Sequence, residues 1–472
     1  VKIINSASLD KSALERLDPV TREWVYNGLD TCVTLEVFEA LEPQLSNATG
    51  AVYAFSRDLQ GPVLEMNMRG LLVDREQRDR ICAEYERQIA YVERHFLRMV
   101  REGVGWDIQK WNSPGQVATL LYDVLGVKEI KVKGRRTANR DALEKIASLH
   151  FDAEPLINHI LFMRDKIKKV QTLRARVDKD GRLRTSFNIA GTDTGRFSSS
   201  FSEFGVSGGN LQNVEEGLRR IFIADRGMKF AYIDKEQAES RAVGAICWNL
   251  FRSGGYLDAC ESGDLHTAVC RMAWTDVPWT GDSVADRVLA DQPFYRQHSR
   301  RHMAKVLGHG TNYRGQPFTM RQHTKLDMDL ITDFQRRYFT GFPEIARWHG
   351  AVETALKEDG YLINLLGRKR WFFGRRTEQE TVRKAVAYDP QSSVADILNR
   401  DMLAVWRLNI VQLLLQVHDA ILIQYPEEKE DELIPKILAA MSTEVALEAG
   451  RSLRIPNEVK TGWNWGNATP DN

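Results

Sequence analysis

The stretch Leu413-Leu-Leu-Gln-Val-His-Asp-Ala-Ile-Leu-Ile-Gln-Tyr425 decides how this chain of 472 residues is read. Two apolar runs flank His418-Asp419, a pattern that predicts a strand, a tight turn and a second strand. The turn carries a carboxylate. Burying it unpaired would cost several kcal/mol, so it either faces solvent or holds a cation. Alone, the segment reads as an ordinary hairpin tip. A second run, Phe230-Ala-Tyr-Ile-Asp234, also ends an apolar strand on an aspartate, and Glu239 and Arg241 follow at the start of a helix. Two strand-end aspartates converging on one metal site suggest phosphoryl transfer.

The middle of the chain supplies matching chemistry. In Arg300-Arg-His-Met-Ala-Lys-Val-Leu-Gly-His-Gly-Thr-Asn-Tyr313, spacings of four and eight keep Arg301, Lys305 and His309 within about 80° on one helix face. Tyr313 lies one turn on. Arg and Lys at this spacing could be a solvated face. With two rings following and two aspartates elsewhere, the face suits a triphosphate with a base or sugar beside it.

These runs resemble motifs A, B and C of family A DNA polymerases, the group of bacterial DNA polymerase I and many phage replicases. Asp234-Lys-Glu-Gln-Ala-Glu-Ser-Arg241 is similar to motif A. Arg301, Lys305 and Tyr313 meet the Arg-x3-Lys-x7-Tyr of motif B, and His418-Asp419-Ala420 stands at motif C. Thr194-Gly-Arg-Phe-Ser-Ser199, Asn210-Leu-Gln-Asn213, Gly367-Arg-Lys-Arg370 and Gln391-Ser-Ser-Val-Ala-Asp396 continue the likeness, in the family's order, over about residues 50 to 472.

The resemblance implies an α+β multidomain fold shaped as a right hand, with a thumb, a palm built on a mixed β-sheet, and helical fingers. It implies a thumb with the palm entry segment over 51–180, palm over 181–250 and 389–472, and fingers over 251–388. Residues 1–50 resemble the end of a 3′–5′ exonuclease domain, with Tyr26 and Asp30 at its third motif. The acidic pairs such a nuclease needs do not precede them, so no proofreading is expected from this chain. The implied activity is template-directed addition of dNTPs to a primer 3′-hydroxyl. Asp234, Asp419 and the Lys235 backbone carbonyl would hold two Mg²⁺ ions, with Mn²⁺ able to substitute. Lys305 would act as general acid. Arg301, Lys305, His309, Tyr313, Glu239, Gln237 and His266 would contact the dNTP, with Glu239 excluding a 2′-hydroxyl. Arg196, Gln212, Asn213, Arg241, Arg383, Gln391 and His418 would meet primer-template DNA. A monomer in the bacterial cytoplasm is expected, with room for a processivity partner.

Several positions depart from the family pattern. Ala420 replaces the acid that usually follows the motif C aspartate, and His309 replaces an aromatic beside the nucleotide. Arg314 stands where Gly usually follows the motif B Tyr, and Lys235-Glu236 replaces Tyr-Ser. They suggest a divergent phage-type member. Two rival readings stand beside this one. A single-subunit RNA polymerase shares the aspartates and the Arg/Lys/Tyr helix, but Glu239 and the Asn210–Asn213 segment argue against it. A non-catalytic primer-template binder would explain Ala420 and His309 as decay, yet both aspartates and both phosphate-binding cations remain.

Composition sets looser bounds. Hydrophobic residues make up 43% and charged residues 27%, the balance of a globular protein, and no run approaches a membrane span. Five cysteines without metal-ligand spacing fit a reducing compartment. The net charge of +1 does not announce a nucleic-acid protein. Basic clusters at 128–140, 164–176 and 368–376 are candidates for a duplex track. Ile81, Tyr85, Ile89, Val92, Phe96 and Met99 form a helical stripe after Asp74. Lys131–Arg136 reads as a basic loop, Gly181–Ala190 as a strand, Phe204–Gly209 as a mobile loop, and Val394–Trp406 as a helix.

Overall fold

The computed structural model describes residues 15–202, 208–295 and 298–468. Residues 203–207, most of the segment expected as a mobile loop, lie outside the described residues. The chain forms two compact units that interleave along the sequence. One takes residues up to Gln60 and Ala242–Ser393; the other takes Gly61–Arg241 and Val394 onward.

The second unit is organised around a four-stranded sheet of β1 (Met228–Lys235), β2 (Gln412–Val417), β3 (Ala420–Pro426) and β4 (Asn457–Gly462). The spatial order is β2-β3-β1-β4. Phe230 to Ile233 and Ala420 to Tyr425 are buried without alternation, because both faces of the sheet are covered. A mixed sheet was expected, but every pairing here is antiparallel. The two-residue connection between β2 and β3 allows nothing else, since a parallel pair needs a long crossover.

A separate helical core in the same unit packs Arg75–Arg98 against Glu154–Leu173. The Asp74 side chain caps the first helix by accepting from the Gln77 N–H at 2.9 Å. Phe96, from the predicted stripe, is fully buried with Trp111, Leu143, Ile157 and Ile160. Lys131–Arg136 differs from its reading. It folds as a small hairpin whose Arg136 is held by Asp123 and Glu129, so that guanidinium is already neutralised. Gly181–Ala190 breaks into Arg182–Leu183 and Ser186–Asn188, which join different sheets.

The first unit is mostly helical. Tyr256, Tyr338, Phe342 and Trp348 form its aromatic core. Buried Asn312 ties that core together: its Nδ2 donates to the Tyr256 hydroxyl at 2.8 Å, and its Oδ1 accepts from the Tyr338 hydroxyl at 3.0 Å. The helix expected from Val394 starts earlier, spanning Gln379–Leu408. Pro390 disguises this, because it lacks the N–H for one intrahelical bond yet is tolerated here by its surroundings. No helix among the described residues is long and apolar enough to cross a membrane.

Phe96→Ala should lower unfolding free energy by about 3–5 kcal/mol in a denaturant titration. Trp24→Ala, at a side chain 77% exposed, should stay within about 0.5 kcal/mol. Equal effects would contradict the burial. A second test uses His349, whose ring nitrogen lies 2.8 Å from the Asn312 carbonyl. Burial, with a smaller contribution from Arg314, holds its pKa down at about 4 against an ordinary 6.5. The unfolded chain therefore takes up this proton first as pH falls. The stability is complete above about pH 6.5 and is lost progressively towards pH 4. His349→Gln, which retains a donor, should flatten the pH dependence of Tm over that window; parallel curves would contradict the assignment.

Candidate active site

The aspartate pair arises from register. Val417 pairs with Ala420, leaving His418 and Asp419 as a two-residue loop, and His418 takes a φ of +54° as such turns require. Ala420 then lies opposite Asp234 on β1, and the Lys235 N–H donates to the Asp419 carbonyl at 3.1 Å. Both carboxylates are half-buried. Burial, and then the charge of Asp419, pushes the Asp234 pKa up to about 7. Burial also raises Asp419, against the opposing pull of Arg196.

Arg196 is the local counter-charge. Its guanidinium donates to Glu239 at 2.6 Å and to Asp419 at 3.2 Å. The residue expected to meet primer DNA thus joins Glu239 to the aspartate pair. Gln212 donates to the Gln416 carbonyl at 3.2 Å, which fixes the Leu211–Asn213 turn beside β2; Asn213 and His418 are exposed. Gln237 turns strand into helix at a φ of +52°. Arg241 corrects an expectation. It is only 4% exposed and its Nε donates to the Glu236 carbonyl at 3.2 Å, so it braces this turn from inside instead of facing a duplex.

Hard oxygen donors of like charge suit Mg²⁺, which keeps waters and shares substrate phosphates. No group of three His, Cys, Asp or Glu residues able to hold a metal occurs among the described residues. Neither Glu458, directly opposite Asp234 on β4, nor Asp401, paired with the buried Lys235, was singled out by sequence reasoning. Glu458 could have been found from the strand pattern of the C-terminal tail. Asp401 carried no local signal.

In the other unit, Arg301, Lys305 and His309 lie along the helix Arg300–Asn312, with Tyr313 as its C-cap. The Ser299 hydroxyl accepts from the His302 N–H at 3.1 Å and starts the helix. The His309 and Tyr313 rings are 4.9 Å apart. Lys305 and His309 are exposed. Arg301 is held by Asp264 at 3.1 Å; burial works against the charge on Asp264, yet hydrogen bonds from Arg301 and Thr267 keep its pKa below the usual range. His266 is driven down to about 4 by burial and then by the Arg301 charge, so its imidazole is neutral near pH 7. It can donate a hydrogen bond but brings no charge. An added Cβ on Gly310 would come within 2.8 Å of Met320 Cε, the flexible end of that side chain. Arg314 keeps the left-handed backbone, φ +57°, that usually favours glycine, and its side chain pairs with Glu353. Arg383 is exposed and Gln391 half-buried on the helix Gln379–Leu408.

Comparison with known proteins speaks to family and fold. The model for DNA polymerase family A matches residues 75–467. The thermostable DNA polymerase I of Thermus filiformis is 27% identical over 457 residues, covering 90% of this chain and 49% of the relative. DNA polymerase I of Chloroflexus aurantiacus is 27% identical over 484 residues, covering 96% of this chain and 47% of the relative. The chain thus spans about half the length of these curated relatives. Among solved structures, the POL domain of Pol1 from M. smegmatis, in complex with DNA primer-template and dNTP, superposes with a TM-score of 0.77 at 25% identity. That match covers 93% of this chain and 75% of the other. The chain belongs to DNA polymerase family A, and its α+β architecture is that family's polymerase fold.

Proposed function

We propose that the chain extends a DNA primer with dNTPs on a DNA template, in replication or repair. The observation that carries this is the half-buried Asp234–Asp419 pair on adjoining strand ends, with Asp234 pushed up to about 7. Family membership supplies the reaction class.

Within the sheet-bearing unit, Asp234, Asp419 and the Lys235 carbonyl are the proposed ligands for two Mg²⁺ ions, with Mn²⁺ as a substitute. When bound, such ions lower the pKa of a 3′-hydroxyl and neutralise charge developing on a pyrophosphate leaving group. Glu239, held by Arg196, would wall off a ribose 2′-hydroxyl. Gln212 and Asn213 would meet DNA edges that every correct pair shares, reading shape over sequence. In the helical unit, Arg301 and Lys305 would neutralise phosphates, and Lys305 would deliver a proton to the departing pyrophosphate. Neutral His266 would donate a hydrogen bond there. His309 and Tyr313 would lie against base and sugar, and Arg383, Gln391 and His418 would meet template or primer. Positioning and charge neutralisation do most of the work in such transfers.

The thumb is proposed over 51–180, the palm over 181–250 and 389–472, and the fingers over 251–388. A bacterial cytoplasmic setting and a monomeric working form belong to the same proposal.

Primer extension with Mg²⁺ tests the reading. The wild-type chain should add dNTPs as directed by template and reject rNTPs. Asp234→Asn and Asp419→Asn should each lose at least about 1,000-fold in rate with Tm nearly unchanged. Failure of the wild-type chain to extend in either Mg²⁺ or Mn²⁺, with duplex binding retained, would favour a binding role.

A further inference from the structure

Lys235 immediately follows Asp234, yet its side chain points away from solvent. It is 4% exposed and forms an ion pair with Asp401, itself fully buried on the helix Gln379–Leu408. Burying a charge pair is seldom the most stable option, since apolar groups of similar size often do as well or better. The location of this pair gives a reason for its presence. Lys235 Nζ also donates to the Met441 carbonyl at 2.9 Å, and the same carbonyl accepts from Asn457 Nδ2 at 2.9 Å. Asn457 is the cross-strand partner of Lys235 on β4. Asp401 Oδ1 in turn accepts from the Thr443 N–H at 3.0 Å. The main chain of Lys235 faces the other way and donates to the Asp419 carbonyl. One residue therefore ties the turn bearing Asp419, the end of β1 bearing Asp234, the helix bearing Asp401 and the connection into β4.

We propose that the Lys235–Asp401 pair is a positioning device for the aspartate site, locking the end of β1 against the 418–419 turn so that Asp234 and Asp419 are held ready for shared cations. This rests on the metal-binding reading of the two aspartates. The side chains of Lys235 and Asp401 touch no substrate; they act by fixing Asp234, Asp419 and the Lys235 backbone carbonyl. A free end of β1 would let the two like-charged carboxylates relax apart, and each cation would then have to draw them together at its own expense.

The test separates position from stability. Asp401→Asn keeps the shape and an acceptor for Thr443 but leaves Lys235 buried without its counter-charge, so both Tm and Mn²⁺ binding should fall. The double variant Lys235→Met with Asp401→Asn leaves no unpaired buried charge. Its Tm should return close to wild type, while Mn²⁺ affinity, measured by paramagnetic resonance on the full chain, stays weaker by about 10-fold or more. Its kcat should fall while KM for dNTP changes little. Recovery of Mn²⁺ affinity together with Tm would overturn the proposal and leave the pair a purely structural contact. The binding readout needs no catalysis. A wild-type chain that fails to extend primers while the double variant still loses Mn²⁺ would sink the polymerase reading and leave this one standing.

Discussion

Asp234 and Asp419 bring like charges to the adjoining ends of paired strands, and burial together with that repulsion pushes Asp234 up to about 7. Nothing in the sheet itself rewards this. The cross-strand register places the two groups side by side, and the apolar runs on either side keep water from screening them fully. On the proposed reading, a shared cation would relieve this repulsion. Much of the surrounding structure can be understood as managing that charge.

Two basic residues do so differently. Arg196 is half-buried and reaches Asp419 and Glu239 with one guanidinium nitrogen. Lys235 is sealed in and bound to Asp401, so its charge serves the scaffold. A half-buried counter-charge lies against the acidic pair and a sealed one stands behind it. Local strain gathers at the same place, with His418 and Gln237 both at positive φ on the two connections that carry the acidic residues. In the helical unit, Asp264 plays a comparable part by holding Arg301 at a set point along the Arg300–Asn312 helix.

Periodicity made the parts legible one element at a time. The uninterrupted apolar runs around Asp234 and Asp419 marked buried strands, and the spacing of Arg301, Lys305 and His309 marked a helix face. What stayed hidden was long-range pairing. Arg196 with Asp419, and Lys235 with Asp401, are side-chain contacts between residues distant in sequence, and no local pattern announces them. Local rules also misled at Pro390, which masked the early start of a 30-residue helix. At Lys131–Arg136, a Gly and several basic residues looked like an open basic loop, but the segment pairs as a hairpin with Glu129 holding Lys131 and Arg136. Arg241, placed against DNA by resemblance alone, lies buried and donates to the carbonyl of Glu236 in the turn before it.

The most direct test of a cation-ready aspartate pair is anomalous diffraction from crystals of the chain grown with Mn²⁺, primer-template and a non-reacting nucleotide. The account predicts Mn²⁺ peaks within coordination distance of carboxylate oxygens of both Asp234 and Asp419. Mn²⁺ bound elsewhere, or an Arg196 that still occupies Asp419 with no metal beside it, would contradict the account.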